Sequence, residues 1–204
     1  MHPNPIFRAE PHARNLGFAR DRGFGLLSIN ADPAPLMAHV PFVLDAEGRS
    51  ADLHLVRSNP VSRSATGPVP AVIAVTGPDG YISPDWYGLA DQVPTWNYVA
   101  VHLRGMLVPL EAEDLRGALD RLSAQFEAQL LPKPPWTADK MDPDALDRML
   151  RMIRPFRFDV TDIDGTWKLG QNKPDDARER AAGYVDAYGI GSDARVLAAL
   201  MKGA

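Results

Sequence analysis

Three stretches of the sequence gather side chains able to handle a small molecule. In Gly80-Tyr81-Ile82-Ser83-Pro84-Asp85-Trp86-Tyr87 and Val93-Pro94-Thr95-Trp96-Asn97-Tyr98, five of the sixteen aromatic residues fall within eighteen positions, interleaved with Ser, Thr and Asn. Flat rings beside short hydrogen-bonding groups suit a planar heteroaromatic ligand that needs stacking and edge contacts. The bland account of each single ring is core packing between strands. Next, Trp167-Lys168-Leu169-Gly170-Gln171-Asn172-Lys173 supplies three long donors, Lys168, Gln171 and Asn172. They fit a phosphate or ring carbonyls, and a solvated turn accounts for them equally well. The third stretch is Arg57-Ser58-Asn59-Pro60 with Arg63 close behind. Cations and donors at a strand end make either an anion site or a plain surface turn.

Other chemistries lack their residues. The chain has no Cys, which removes disulfide frameworks, thiolate metal sites and Cys nucleophiles. Gly23-Phe24-Gly25 lacks a third glycine and precedes an apolar run instead of following one, so it reads as a turn and not as a dinucleotide fingerprint. No phosphate-loop, zinc-protease or nucleophile-elbow pattern occurs. Asp162-Ile163-Asp164-Gly165 resembles the start of a calcium loop, but Gln171 stands where the closing Glu is needed, so a hairpin turn is expected. His39, His54 and His102 fall on predicted strands without carboxylates at ligand spacing. They read as wall residues or contacts to an organic cofactor, and no metal site is expected.

The elements that must carry these stretches change character along the chain. Thirteen of the 19 prolines lie in residues 1–109, where the pattern is of strands: Phe24–Asn30, Leu36–Leu44 with Pro41 marking an edge or bulge, Asp52–Arg57, Ala71–Thr76 and Asn97–Leu110. Turns are predicted at Gly77-Pro78-Asp79-Gly80 and Val93-Pro94. Residues 113–131 then show a helical stripe of Leu115, Ala118, Leu119, Leu122, Phe126 and Leu130, ended by Pro132, Pro134 and Pro135. A second helical stripe covers Leu146, Met149, Leu150 and Ile153. Phe156–Ile163 returns to strand alternation before a turn at Asp164-Gly165. A helix runs from Pro174 to about Ala187, and residues 193–202 either form a short helix or fray. The reading is one domain over residues 1–204, mainly β with peripheral helices: an antiparallel barrel with helical insertions near 111–131 and 143–154 and a helical tail near 174–204.

Composition bounds the partners. Hydrophobic residues at 45% and charged residues at 24% are ordinary globular values. No run is long and apolar enough to span a bilayer, and no secretory signal is expected, so a cytoplasmic protein is predicted. The net charge is −4, and the 113–131 helix carries more acids than bases. Neither favours direct contact with a phosphate backbone.

Read together, these segments resemble one family. Pro5-Ile6-Phe7-Arg8, Ala38-His39-Val40-Pro41-Phe42, His54-Leu55-Val56-Arg57-Ser58-Asn59-Pro60, the block from Gly77 to His102, and Trp167-Lys168-Leu169-Gly170-Gln171-Asn172 are similar, in order, to the PaiB-type FMN-binding negative transcriptional regulators. That family is a branch of the split-barrel superfamily that includes the pyridoxamine-phosphate oxidases. The chain departs from the pattern at Gly170, where Ser is common, at Lys173, where Arg is common, and at Val61-Ser62, where Gln-Trp is usual. The resemblance implies an FMN-binding split β-barrel that is dimeric, a homodimer with FMN at the subunit interface. By position it implies Arg57, Asn59 and Arg63 on the phosphate side, Tyr81, Ser83, Trp96 and Asn97 around the isoalloxazine, and Lys168, Gln171 and Asn172 completing the site from the same or the partner chain. It assigns no catalytic residue. It implies a regulatory role, which the charge balance makes indirect. The alternatives are a flavin-dependent oxidoreductase acting on a small molecule, or a dimeric barrel for another ligand such as haem.

Overall fold

A computed structural model describes residues 1–204. Seven strands carry the fold: β1 (Phe24–Ile29), β2 (Leu36–Pro41), β3 (Val43–Leu44), β4 (Ser50–Val56), β5 (Val69–Ile82), β6 (Thr95–Pro109) and β7 (Ile153–Lys168). They hydrogen-bond in the order β2-β1-β5-β6-β7-β4-β3. The pairs β1–β2, β1–β5, β3–β4 and β4–β7 are antiparallel, in registers such as Leu26↔His39, Leu27↔Ile73 and Leu53↔Phe156. Six helices accompany them: α1 (His12–Arg22), α2 (Pro60–Ser64), α3 (Leu115–Glu127), α4 (Pro143–Leu150), α5 (Asp175–Tyr188) and α6 (Ala194–Lys202). The molecule is mainly β with helices at its periphery, and no helix is long and apolar enough to cross a membrane.

Backbone contacts divide the chain into two compact units. The first comprises residues 1–15, 76–101 and 164–204, and the second residues 16–75 and 102–163. The divisions at 75/76, 101/102 and 163/164 fall inside β5, β6 and β7. In the second unit, β4 buries Ala51, Leu53 and Leu55 on alternate positions, and β5 buries Ala71, Ile73 and Val75. Period-two burial is what a pleated strand with one covered face requires. Phe42, Leu103, Leu107, Phe156 and Phe158 complete that core at zero exposure. β2 lies at the sheet edge, and Pro41 is its last residue, a place where a missing N–H costs the ladder nothing.

In the first unit, α5 and α6 bury Ala177, Ala181, Ala182, Val185, Leu197 and Met201. Arg178, only 6% exposed, joins the two helices: its Nε donates to the Met201 carbonyl at 2.8 Å and its Nη1 to Asp175 Oδ1 at 2.8 Å. Residues 194–202 therefore form a packed helix and do not fray.

Two expected turns are absent. β5 runs straight through Gly77-Pro78-Asp79-Gly80, because the Asp79 and Tyr81 amides donate to the carbonyls of Ser192 and Ile190, both at 2.9 Å. Gly80 serves packing here, since a Cβ would lie 2.8 Å from Leu197 Cδ2. Likewise β7 continues through Asp164-Gly165, so no hairpin forms there. A Cβ on Gly165 would fall 2.0 Å from Asn15 Oδ1. Asn15 is buried and accepts from Trp167 Nε1 at 2.8 Å, so the glycine makes room for that bond. α1 and α2 were not apparent in the sequence. Within His12–Arg22 only Asn15 and Ala19 are buried, too few for a visible apolar stripe.

Candidate functional site

The first unit contains a cleft of about 290 Å³ whose lining includes Tyr87, Gln92, Thr95, Asn97, Lys168, Asn172 and Lys173. Two strands and one connection build it. β6 enters at Thr95, and its alternation turns Thr95 and Asn97 to one side and Trp96 and Tyr98 to the other. β7 ends at Lys168, after which Gly170, in the left-handed conformation at φ +84°, lets the chain fold back so that Asn172 and Lys173 face the same space.

Two cations, Lys168 and Lys173, and one carboxylate, Asp91, line this cleft. Lys168 Nζ donates to Thr95 Oγ1, and Lys173 Nζ donates to Gln92 Oε1 and sits 5.4 Å from the Tyr87 ring centroid. Neither ammonium has a carboxylate within 4.0 Å. Burial, and then repulsion by Lys173, lower the pKa of Lys168 below its ordinary value. An anion between the two groups would favour their charged forms and oppose this shift. Burial raises the Tyr87 hydroxyl, and a hydrogen bond from Asn97 offsets part of that. Asn97 is 1% exposed. Its amide nitrogen also reaches Met201 Sδ at 3.6 Å, while its Oδ1 has no partner.

The residues expected from the sequence are distributed unevenly. Asn97, Lys168 and Asn172 line the cleft together. Gln171 does not: its Oε1 accepts from the Leu169 amide at 2.8 Å and its Nε2 donates to the Trp167 and Ile6 carbonyls, so it braces the turn. Tyr81 and Trp96 form an edge-to-face pair with centroids 6.3 Å apart, and Trp96 is 47% exposed, on the side of β6 opposite Asn97. Ser83 precedes the 3-10 turn Pro84–Tyr87 without a side-chain cap. Arg57, Asn59 and Arg63 belong to the second unit. There Arg57 Nε donates to the Arg151 carbonyl, and Asn59 Oδ1 caps α2 through the Val61 amide, both at 2.9 Å. Arg63 sits in the last turn of α2. Gln92, Thr95, Tyr87 and Lys173 were not singled out as site residues. Parity with Asn97 along β6 could have pointed to Thr95.

Comparison with known proteins gives this geometry its setting. Residues 1–162 match the family described as "Putative FMN-binding domain". Over 158 residues the chain is 30% identical to "Protease synthase and sporulation protein PAI 2" of Bacillus subtilis (strain 168), covering 76% of this chain and 75% of that protein. This chain is a member of the PaiB-type FMN-binding-domain family. Its fold also recurs in solved structures. The FAD and heme binding protein from Mycobacterium smegmatis superposes with a TM-score of 0.60 at 17% identity, over 91% of this chain and 82% of that one. The conserved hypothetical protein Rv2991 from Mycobacterium tuberculosis superposes with a TM-score of 0.54 at 11% identity, over 85% and 94%. At such identities the likeness is one of fold. The PaiB-type match ends at residue 162, so Lys168, Asn172 and Lys173 lie in the segment that follows it.

Proposed function

We propose that this protein is an FMN-binding split barrel that works as a homodimer with the cofactor at the interface between copies. Any control of transcription then runs through a metabolite or protein partner, since a chain of net charge −4 is poorly suited to hold DNA directly. The observation that carries this reading is the pair of ammonium groups, Lys168 and Lys173, facing one cleft without a carboxylate partner.

The donor set fits the group. A phosphate monoester carries close to two negative charges at neutral pH, and Lys168, Lys173 and the Asn172 amide match them as cations and donor. Arg57 and Arg63 are further cations without an ion pair, available to a partner subunit. Tyr81 and Trp96 offer a ring surface half open to solvent, and Ser83 stands beside them in sequence. Asn59 and Gln171 act by holding backbone turns in place. Bound flavin would supply one- or two-electron redox chemistry, and the protein would supply orientation and charge.

Titration of the purified protein with FMN, followed by quenching of flavin fluorescence, tests the reading. Saturable binding is expected, weakened at least tenfold in Lys168→Met/Lys173→Met, since each charge-assisted bond contributes about 1.5–3 kcal/mol. Light scattering should give twice the 22.3 kDa chain mass. A monomer that leaves FMN fluorescence unchanged at millimolar protein would overturn it.

A further inference from the structure

We infer that Lys168 is a nucleophile whose amine condenses with small carbonyl compounds that carry a carboxylate, holding 2-oxo acids and aldehydic acids in this cleft as imines. This goes beyond the flavin reading and does not depend on it, since no flavin atom takes part.

The surroundings of the amine carry the inference. Lys168 is the last residue of β7, so a strand fixes its backbone, and it is half-buried in a cleft whose walls include Phe7 and Val93. Its Nζ is hydrogen-bonded to Thr95 Oγ1, and no carboxylate stands within 4.0 Å of it. A hydroxyl accepts from an ammonium and donates to a free amine equally well. The uncharged, nucleophilic form therefore keeps its hydrogen bond. A carboxylate partner would instead hold the proton on the nitrogen.

The second cation acts on the same balance. Burial, and then the charge of Lys173, lower the pKa of Lys168 and raise its share of free amine near neutral pH. A lysine beside another cation is a recurrent means of activating an amine towards carbonyl carbon. Lys173 also supplies a counter-charge for the carboxylate of the ligand. Its ammonium is bonded to Gln92 Oε1 and forms no ion pair, not even with Asp91 of the same lining. A cleft of about 290 Å³ admits an acid of a few carbons.

The step balances without an oxidant or reductant. The Lys168 lone pair adds to the carbonyl carbon. Both amine protons then leave with the carbonyl oxygen as water, and a C=N bond replaces the C=O bond.

The test is to incubate the full chain with glyoxylate and cyanoborohydride, which reduces imines, and to map the alkylated lysines by mass spectrometry. The chain offers five, Lys133, Lys140, Lys168, Lys173 and Lys202, so exposed Lys202 serves as an internal reference. Lys168 is expected to react at least tenfold faster than Lys202. That preference should fall at least threefold with glycolaldehyde, the uncharged two-carbon counterpart, and at least threefold in Lys173→Met, whose folding circular dichroism confirms. Equal labelling of Lys168 and Lys202 would overturn the inference. A preference that glycolaldehyde and Lys173→Met both leave unchanged would overturn it as well, since the carboxylate would then have no role. Selective labelling of Lys168 in a protein that binds no FMN retires the flavin reading and keeps this one. FMN binding by a protein whose Lys168 reacts no faster than Lys202 does the reverse.

Discussion

Gly165 and Asn15 show how closely single side chains are fitted. The Asn15 oxygen occupies the space where a Cβ at position 165 would stand, 2.0 Å away, and it is held there by the Trp167 indole. Gly165→Ala should therefore displace Asn15 and break a buried hydrogen bond, lowering stability by about 2–3 kcal/mol as read from urea unfolding midpoints. His54 makes a second residue-scale prediction. Its Nδ1 is buried without a partner, and burial holds its pKa below the ordinary 6.5. The unfolded imidazole takes up a proton near 6.5 while the folded one resists it. Stability from this group is thus fully present above pH 6.5 and falls as the pH drops below that value. Unfolding midpoints measured from pH 7.5 down to 5.5 should decline less steeply in His54→Gln than in the unchanged protein. At this scale residue type displayed Lys168 and Asn172 as donors, and the family resemblance added Asn97. The sequence hid Lys173 and Gln92, whose importance comes from facing the same cleft from different segments. It also overstated Gln171, whose hydrogen-bonding groups are consumed by its own turn.

At the scale of elements, strand alternation in β4 and β6 was legible because each covers one face with apolar residues, whereas the unbroken apolar run of β5 at 71–76 suggested burial on both faces and is buried only at alternate positions. The ends of β5 and β7 were not legible. Gly-Pro-Asp-Gly and Asp-Gly normally mark turns, yet here Gly80 and Gly165 serve close approach, a need that composition cannot distinguish from a need for unusual backbone angles. Glycine substitutions expose the difference. A Cβ on Gly105 of β6 would stand 1.9 Å from the Asp159 carbonyl oxygen of β7, and backbone cannot step aside as a side chain can. Gly183, inside α5, has nothing within 4 Å of the same added atom. Gly105→Ala is expected to cost about 3 kcal/mol or more. Gly183→Ala should stabilise by about 0.5–1 kcal/mol through helix propensity and a less flexible unfolded chain. Thermal melts of the two variants, shifted in opposite directions, would check both.

For the molecule as a whole, the segment beyond the family match is integral to the fold. Leu169, Ala181, Val185, Leu197 and Met201 are fully buried in the first unit, and Trp167 and Arg178 nearly so. A chain stopped at Ile163 would lose the end of β7 from Asp164 to Lys168, both α5 and α6, and the cleft residues Lys168, Asn172 and Lys173. Near-UV circular dichroism of that truncation should show loss of fixed aromatic packing, with dye binding to newly exposed apolar surface. The sequence reading of an antiparallel β core with added helices was sound at this scale, because patterning sets fold class. The partition into two units was invisible to it, since the divisions fall within uniform strands and at no linker of distinctive composition.

That partition has a practical consequence for anyone handling the protein. The chain passes between its units at 15/16, 75/76, 101/102 and 163/164, three times in the middle of a strand. Neither unit is a contiguous cassette that could be cloned out, swapped into a relative or released by one protease cut. The exposed stretch from Leu131 to Thr137 is the place to tag, nick or permute the chain, because a break there severs no strand.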